Sequence, residues 1–82
     1  MRLGKYLKVS RIIKRRTVAN EACDAGRVVV NGKIARASYD VKVNDVIELT
    51  LGARTVKARV VSVNEYAKKD EAAMMYEIIE EK

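Results

Sequence analysis

Residues 14–36 read KRRTVANEACDAGRVVVNGKIAR, and within this stretch the spacing of the apolar side chains changes from helical to extended. Val18, Ala19, Ala22 and Cys23 recur on one helical face, Thr17 stands where an N-cap belongs, and Gly26 stands where a left-handed residue closes a helix without a Cβ penalty. The spacing predicts a helix over Val18–Ala25. From Arg27 the pattern is that of a hairpin: Val28-Val29-Val30 runs into Asn31-Gly32, the strongest two-residue turn signal, and Lys33-Ile34-Ala35-Arg36 returns. A glycine-capped helix leading at once into a tight hairpin is expected.

Upstream, Leu3, Tyr6 and Leu7 share an i, i+3, i+4 stripe while Arg2, Lys5 and Lys8 fall outside it, which predicts a first helix over Arg2–Val9. Ser10 and Arg11 interrupt that pattern before the apolar pair Ile12-Ile13. Downstream, Asn44-Asp45 is the natural corner ahead of two strands, Val46–Leu51 and Thr55–Val63, joined by a turn at Gly52-Ala53-Arg54. The second strand alternates, with Val56, Ala58 and Val60 on one face and Lys57, Arg59 and Val61 on the other. In the tail, Asp70 caps a short helix through Met74 and Met75–Ile79 adds a strand, a reading preferred to one amphipathic helix, with Glu80, Glu81 and Lys82 fraying. The fold class is α+β, two N-terminal helices followed by a small antiparallel β-sheet, in a single domain over residues 1–82.

Charge carries the functional information. The 82 residues hold 17 Lys and Arg against 11 Asp and Glu, for a net charge of +6. Residues 1–36 contain ten basic and two acidic side chains, a net of +8, and residues 37–82 seven basic and nine acidic, a net of −2. A concentrated basic segment attracts a polyanion by releasing counterions, so nucleic acid is the expected partner. Lys14, Arg15 and Arg16 precede the second helix, where backbone N–H groups without intrahelical acceptors and forked arginine donors both favour phosphate. Arg2, Lys5 and Lys8 on the outer face of the first helix, with Arg11 between the helices, extend this patch.

Catalysis is disfavoured by composition. There is no His and only one cysteine, so the commonest general base and metal ligand are missing and neither an internal disulfide nor a thiolate zinc site is available. Cys23 is expected to be a structural thiol in the core. Asp40 and Asp45 read as turn formers without metal-ligand spacing, and the four tyrosines are expected to pack rather than stack on bases. No cofactor and no metal are expected. No apolar run reaches the ~20 residues that span a membrane, and MRLGKYLKVSR carries charges where a secretory signal is apolar, so the cytoplasm is the expected compartment. A DNA-binding repressor is the distant alternative. The hairpin counts against it, and no dimerisation segment is evident, so a monomer is expected.

The string MRLGKYLKVSRIIKRRTVANEACDAGRVVVNGKIARASYDVKVND resembles the αL-motif RNA-binding domain of bacterial ribosomal protein S-four. The match lies in arginine-leucine, lysine-arginine-arginine-threonine, a helix and the glycine-x-valine-x-valine-asparagine-glycine hairpin, and places the RNA-binding core in about residues 1–45. Including AKKDEAAMMYEIIEEK, the whole chain is similar to the RqcP family, also called YabO. The resemblance implies a ribosome-associated quality-control factor that binds large ribosomal subunits and peptidyl-tRNA and, with RqcH, supports C-terminal alanine tailing. It also implies that Arg2 and Arg16 contact ribosomal RNA and tRNA, with Arg11, Lys14 and Arg15 beside them. The nearer alternative is a heat-shock-type factor for large-subunit recycling or assembly, independent of RqcH. One departure is visible, because Gly4 stands where the family usually has an aspartate. A glycine in a helix costs about 0.5–1 kcal/mol relative to alanine, so the first helix is expected to be less firm than in its relatives.

Overall fold

The apolar stripe at Leu3, Tyr6 and Leu7 forms the buried face of a helix, α1 (Leu3–Val9), in a computed structural model whose described residues are 1–81. Arg2 is the N-cap of α1 rather than its first residue. The first turn is tied down from outside the helix: the Leu3 N–H donates to the Tyr39 carbonyl at 2.7 Å and the Gly4 N–H to the Ala37 carbonyl at 3.1 Å. At the other end Arg11 takes a positive φ of 63°, and its N–H donates to the Lys8 carbonyl at 3.1 Å.

The second helix, α2 (Arg16–Asp24), starts two residues earlier than its sequence pattern indicates. Arg15 is the extended N-cap, its carbonyl accepting from the Ala19 N–H at 3.0 Å, and no side chain caps the end. Thr17 therefore lies inside the first turn. Burial of Ala19, Ala22 and Cys23 fixes which face of α2 turns inward, and Val18 lies off that face, 42% exposed. The helix closes as expected at Gly26, whose φ is 75°. The Gly26 N–H donates to the Cys23 carbonyl at 3.1 Å and the Arg27 N–H to the Ala22 carbonyl at 3.0 Å, the paired bonds of a Schellman cap.

Five antiparallel strands follow in the spatial order β2-β1-β3-β4-β5: β1 (Val28–Val30), β2 (Lys33–Ile34), β3 (Val46–Leu51), β4 (Arg54–Val60) and β5 (Tyr76–Glu81). Asn31 and Gly32, at φ 52° and 82°, make the two-residue turn that pairs Val30 with Lys33, the pattern of a type I′ hairpin. β4 ends at Val60, short of the expected Val63, because the Val61 and Ser62 N–H groups both donate to the Met75 carbonyl, at 2.8 and 3.1 Å. The tail does form helix then strand, although α3 (Lys69–Ala72) is only four residues long, stops short of Met74 and has Lys68 rather than Asp70 at its N-cap. Glu80 and Glu81 do not fray; they pair with Lys57 and Val56 of β4, while Lys82 lies outside the described residues.

The helices and the sheet share one core. Leu3, Tyr6, Leu7, Ala19, Ala22 and Cys23 from α1 and α2 meet Val28, Val30, Ile47, Leu49 and Val60 from the strands, with Met75 added from the tail. Asp45 is more than a turn former: its carboxylate accepts from Asn31 Nδ2 at 2.9 Å, the Tyr39 hydroxyl at 2.9 Å and the Lys42 N–H at 3.0 Å. Burial opposes its charge, but these donors outweigh it and hold the carboxyl below its usual range. Asn31 also accepts from the Val46 N–H at 2.9 Å, so the hairpin turn and the β3 start are pinned to one carboxylate.

Candidate nucleic-acid interface

Three arginines distant in sequence meet in one surface hollow. The bonds from Leu3 and Gly4 to the 37–39 carbonyls, with the Val41 N–H donating to the Met1 carbonyl at 2.8 Å, lay the segment after β2 along the start of α1. Arg2, at the N-cap of α1, thereby comes beside Arg36, and the packing of α2 on α1 brings Arg16 to the same place. Asn20, one turn along α2 from Arg16, lines the same hollow. Gly4 permits this approach: it is buried, and a Cβ there would sit on the Oδ1 of Asn20.

A second hollow is lined by Lys8 at the end of α1, Arg11 in its left-handed conformation, and Lys14 before α2. The arginine at this turn costs ~1–2 kcal/mol in backbone conformation relative to a residue free of a Cβ. Arg15 is exposed at the N-cap of α2, where the N–H groups of the first turn have no acceptor within the helix.

Lys5 stands apart from the other expected residues. Its ammonium lies 3.6 Å from Glu65 and 6.0 Å from the centre of the Tyr66 ring, so it is engaged by the segment between β4 and α3. Tyr66 itself is 85% exposed, which corrects the expectation that all four tyrosines pack; Tyr6 is fully buried, and Tyr39 and Tyr76 are half-buried. Among the described residues, Lys5 is the only one of the ten basic side chains in residues 1–36 with a carboxylate within ion-pair distance. In the sheet, by contrast, Lys57 pairs with Glu48 at 3.4 Å and Arg59 with Glu77 at 2.8 Å. Nine of those ten basic side chains thus have no carboxylate partner among the described residues.

Two members of the arginine hollow escape a reading of the sequence. Arg36 sits at the end of a hairpin with nothing local to link it to Arg2, and Asn20 is one polar residue among several on α2. The contact between the 37–41 segment and α1 brings Arg36 in and the packing of α2 on α1 brings Asn20, and no spacing encodes either. Cys23 is buried as expected, and burial, followed by the nearby Asp24 charge, pushes its thiol up to about 11, so it stays protonated at neutral pH. No helix among the described residues is long and apolar enough to cross a membrane.

Known proteins resemble this chain over most of its length. Residues 1–47 match the family model described as the S4 domain. A Streptococcus pneumoniae protein named RQC P-site tRNA stabilizing factor is 56% identical over 81 residues, covering 99% of this chain and 92% of its own length. The Bacillus subtilis protein of the same name is 49% identical, with 99% of this chain and 94% of that protein covered. Among solved structures, the trimeric heat shock protein 15 of Vibrio cholerae superposes with a TM-score of 0.86 at 26% identity, over 95% of this chain and 80% of that one. The chain belongs to the S4-domain family, in the branch of the RQC P-site tRNA stabilizing factors.

Proposed function

We propose that this protein is a non-catalytic RNA-binding factor of ribosome-associated quality control. It docks on stalled large ribosomal subunits, contacts large-subunit ribosomal RNA and peptidyl-tRNA, and supports RqcH-dependent alanine tailing of the nascent chain. The carrying observation is that the basic side chains of the first 36 residues, apart from Lys5, have no carboxylate partner among the described residues, and six of them, Arg2, Arg16 and Arg36 with Lys8, Arg11 and Lys14, line two hollows. The kinship with factors named for stabilising P-site tRNA supports reading this basic surface as the one that meets the ribosome.

Arg2, Lys8, Arg11, Lys14, Arg15 and Arg16 contact phosphates, with Lys5 contributing from the margin, and recognition is by the shape of folded RNA more than by base sequence. A body docked on ribosomal RNA and tRNA together adds contacts available in only one tRNA position and so shifts the tRNA toward it without covalent chemistry. The protein acts as a single domain, as a monomer, in the cytoplasm, without cofactor or metal. A second reading, large-subunit recycling or assembly without RqcH, is favoured by the likeness to heat shock protein 15. It ranks lower because that likeness holds at 26% identity, against 56% for a tRNA stabilizing factor.

A stalling reporter distinguishes the two. Cells lacking the protein lose alanine tails on the stalled product, and re-expression restores them only when RqcH is present. Tails that persist without the protein contradict the proposal.

A further inference from the structure

The hollow at Arg2, Arg16 and Arg36 is not uniformly positive. Asn20, Asp24 one turn further along α2, and Ser38 also line it. Among the described residues, neither the Asn20 amide nor the Asp24 carboxylate has a hydrogen-bond or ion-pair partner in the protein. A site for a lone phosphate needs donors only, and a carboxylate inside it works against binding. This hollow instead places acceptors beside three arginines, and an acceptor that gives up water to a bound ligand needs a donor from that ligand. Beside the phosphates that arginines hold, the one donor on a nucleic-acid backbone is the ribose 2′-hydroxyl, which DNA lacks.

We infer that Asn20 reads a ribose 2′-hydroxyl while the flanking arginines hold the adjacent phosphates, making it a residue that selects RNA. This rests on the basic face being the RNA interface and adds the chemical group recognised there. Asn20 suits the task because its amide offers an acceptor and a donor to a hydroxyl that is itself both. Asp24 supplies a second acceptor at the same edge. Gly4 makes the arrangement possible, since its missing Cβ leaves the space that Asn20 Oδ1 fills. Substitution at either end of this pair thus acts on one contact.

The test compares a tRNA transcript with the same transcript carrying 2′-fluoro riboses, which keep the A-form geometry and every phosphate but have no hydroxyl donor. The wild-type protein binds the hydroxyl form about 2- to 10-fold more tightly, the range of one net hydrogen bond. Asn20→Ala removes that preference while leaving the melting temperature in place. Gly4→Ala removes it by a second route, by pushing the unaltered amide aside. Arg36→Ala weakens both ligands equally. Wild-type protein that binds the two transcripts alike, or variants at 20 and 4 that both keep the preference, overturns the inference and leaves the basic interface standing. Wild-type protein that binds neither transcript contradicts the basic interface itself.

Discussion

The hydroxyl of Tyr6 donates a 2.7 Å hydrogen bond to the carbonyl of Met75, joining two buried residues 69 positions apart. The same carbonyl accepts from the Val61 and Ser62 N–H groups, so α1, the exit of β4 and the entry to β5 converge on one oxygen. Through this bond the tail that follows the S4 portion becomes part of the fold that positions the basic face. Tyr6→Phe removes one donor of three and leaves the carbonyl satisfied. The expected loss is ~1 kcal/mol, a fall in melting temperature of about 4–8 °C for a chain of this size, with RNA affinity unchanged.

Arg11 and Gly26 do the same work at the ends of α1 and α2, each with positive φ and each donating its N–H to a carbonyl three residues back. Only one of them is glycine. Replacing Arg11 with Gly relieves ~1–2 kcal/mol of backbone strain and returns about 0.5–1 kcal/mol in unfolded-state entropy, a net gain in stability of up to ~1 kcal/mol. The same change removes a cation from the Lys8–Arg11–Lys14 hollow. Arg11→Gly therefore melts at a higher temperature while binding RNA less tightly, with the slope of log affinity against log salt reduced by about 0.7–0.9. A stabilised variant with undiminished binding shows that Arg11 has no RNA contact.

Asp45 holds the Asn31 turn, Tyr39 and the Lys42 backbone together, and its carboxyl lies below the usual range. A group lowered in the folded state stabilises fully above its unfolded value, near 4, and loses that contribution as pH falls through its folded value. Asp45→Asn shows a shallower loss of stability on acidification than the wild type, measured by urea midpoints from pH 6 down to pH 2. Asp45→Ala, which strands three donors, costs about 2–3 kcal/mol at neutral pH.

Cys23 behaves in the opposite sense. Its thiol rises from an ordinary value of 9.0 to about 11 in the folded state, through burial first and the Asp24 charge second. The unfolded chain ionises this thiol near pH 9 and the folded chain does not. Stability from this group is fully present below pH 9 and is lost as pH rises from there through about 11. Cys23→Ala therefore lacks part of the alkaline destabilisation seen in the wild type, and native protein resists thiol alkylation at neutral pH.

The local elements are legible in the sequence because their determinants are local. Asn31-Gly32 fixes a turn whose two positive φ values few other pairs accept, Gly26 fixes the end of α2, and the alternation of Val56, Ala58 and Val60 fixes the buried face of β4. What is hidden depends on contacts far along the chain. Thr17 has the chemistry of a cap, but α2 begins before it, with burial of Ala19, Ala22 and Cys23 setting its inward face. β4 stops at Val60 because Met75, beyond α3, takes the next two N–H groups. Arg2 and Arg16 are identifiable from family resemblance, whereas Arg36 joins them only through backbone bonds between the N-terminal segment and residues 37–41, and Asn20 through the packing of α2 on α1. Lys5 shows the reverse case, a residue on the outer face of α1 that the fold engages with Glu65 and Tyr66.

The most direct measurement is affinity purification from cells of the tagged protein and its Arg2→Ala/Arg16→Ala variant, with quantification of the large-subunit RNA and tRNA recovered. Both side chains are exposed and without ion-pair partners among the described residues, so the variant keeps its melting temperature. Docking through the arginine hollow predicts that recovery of large subunits and peptidyl-tRNA falls at least about tenfold, the effect of ~1.4 kcal/mol. Undiminished recovery of both RNAs with the folded variant contradicts it.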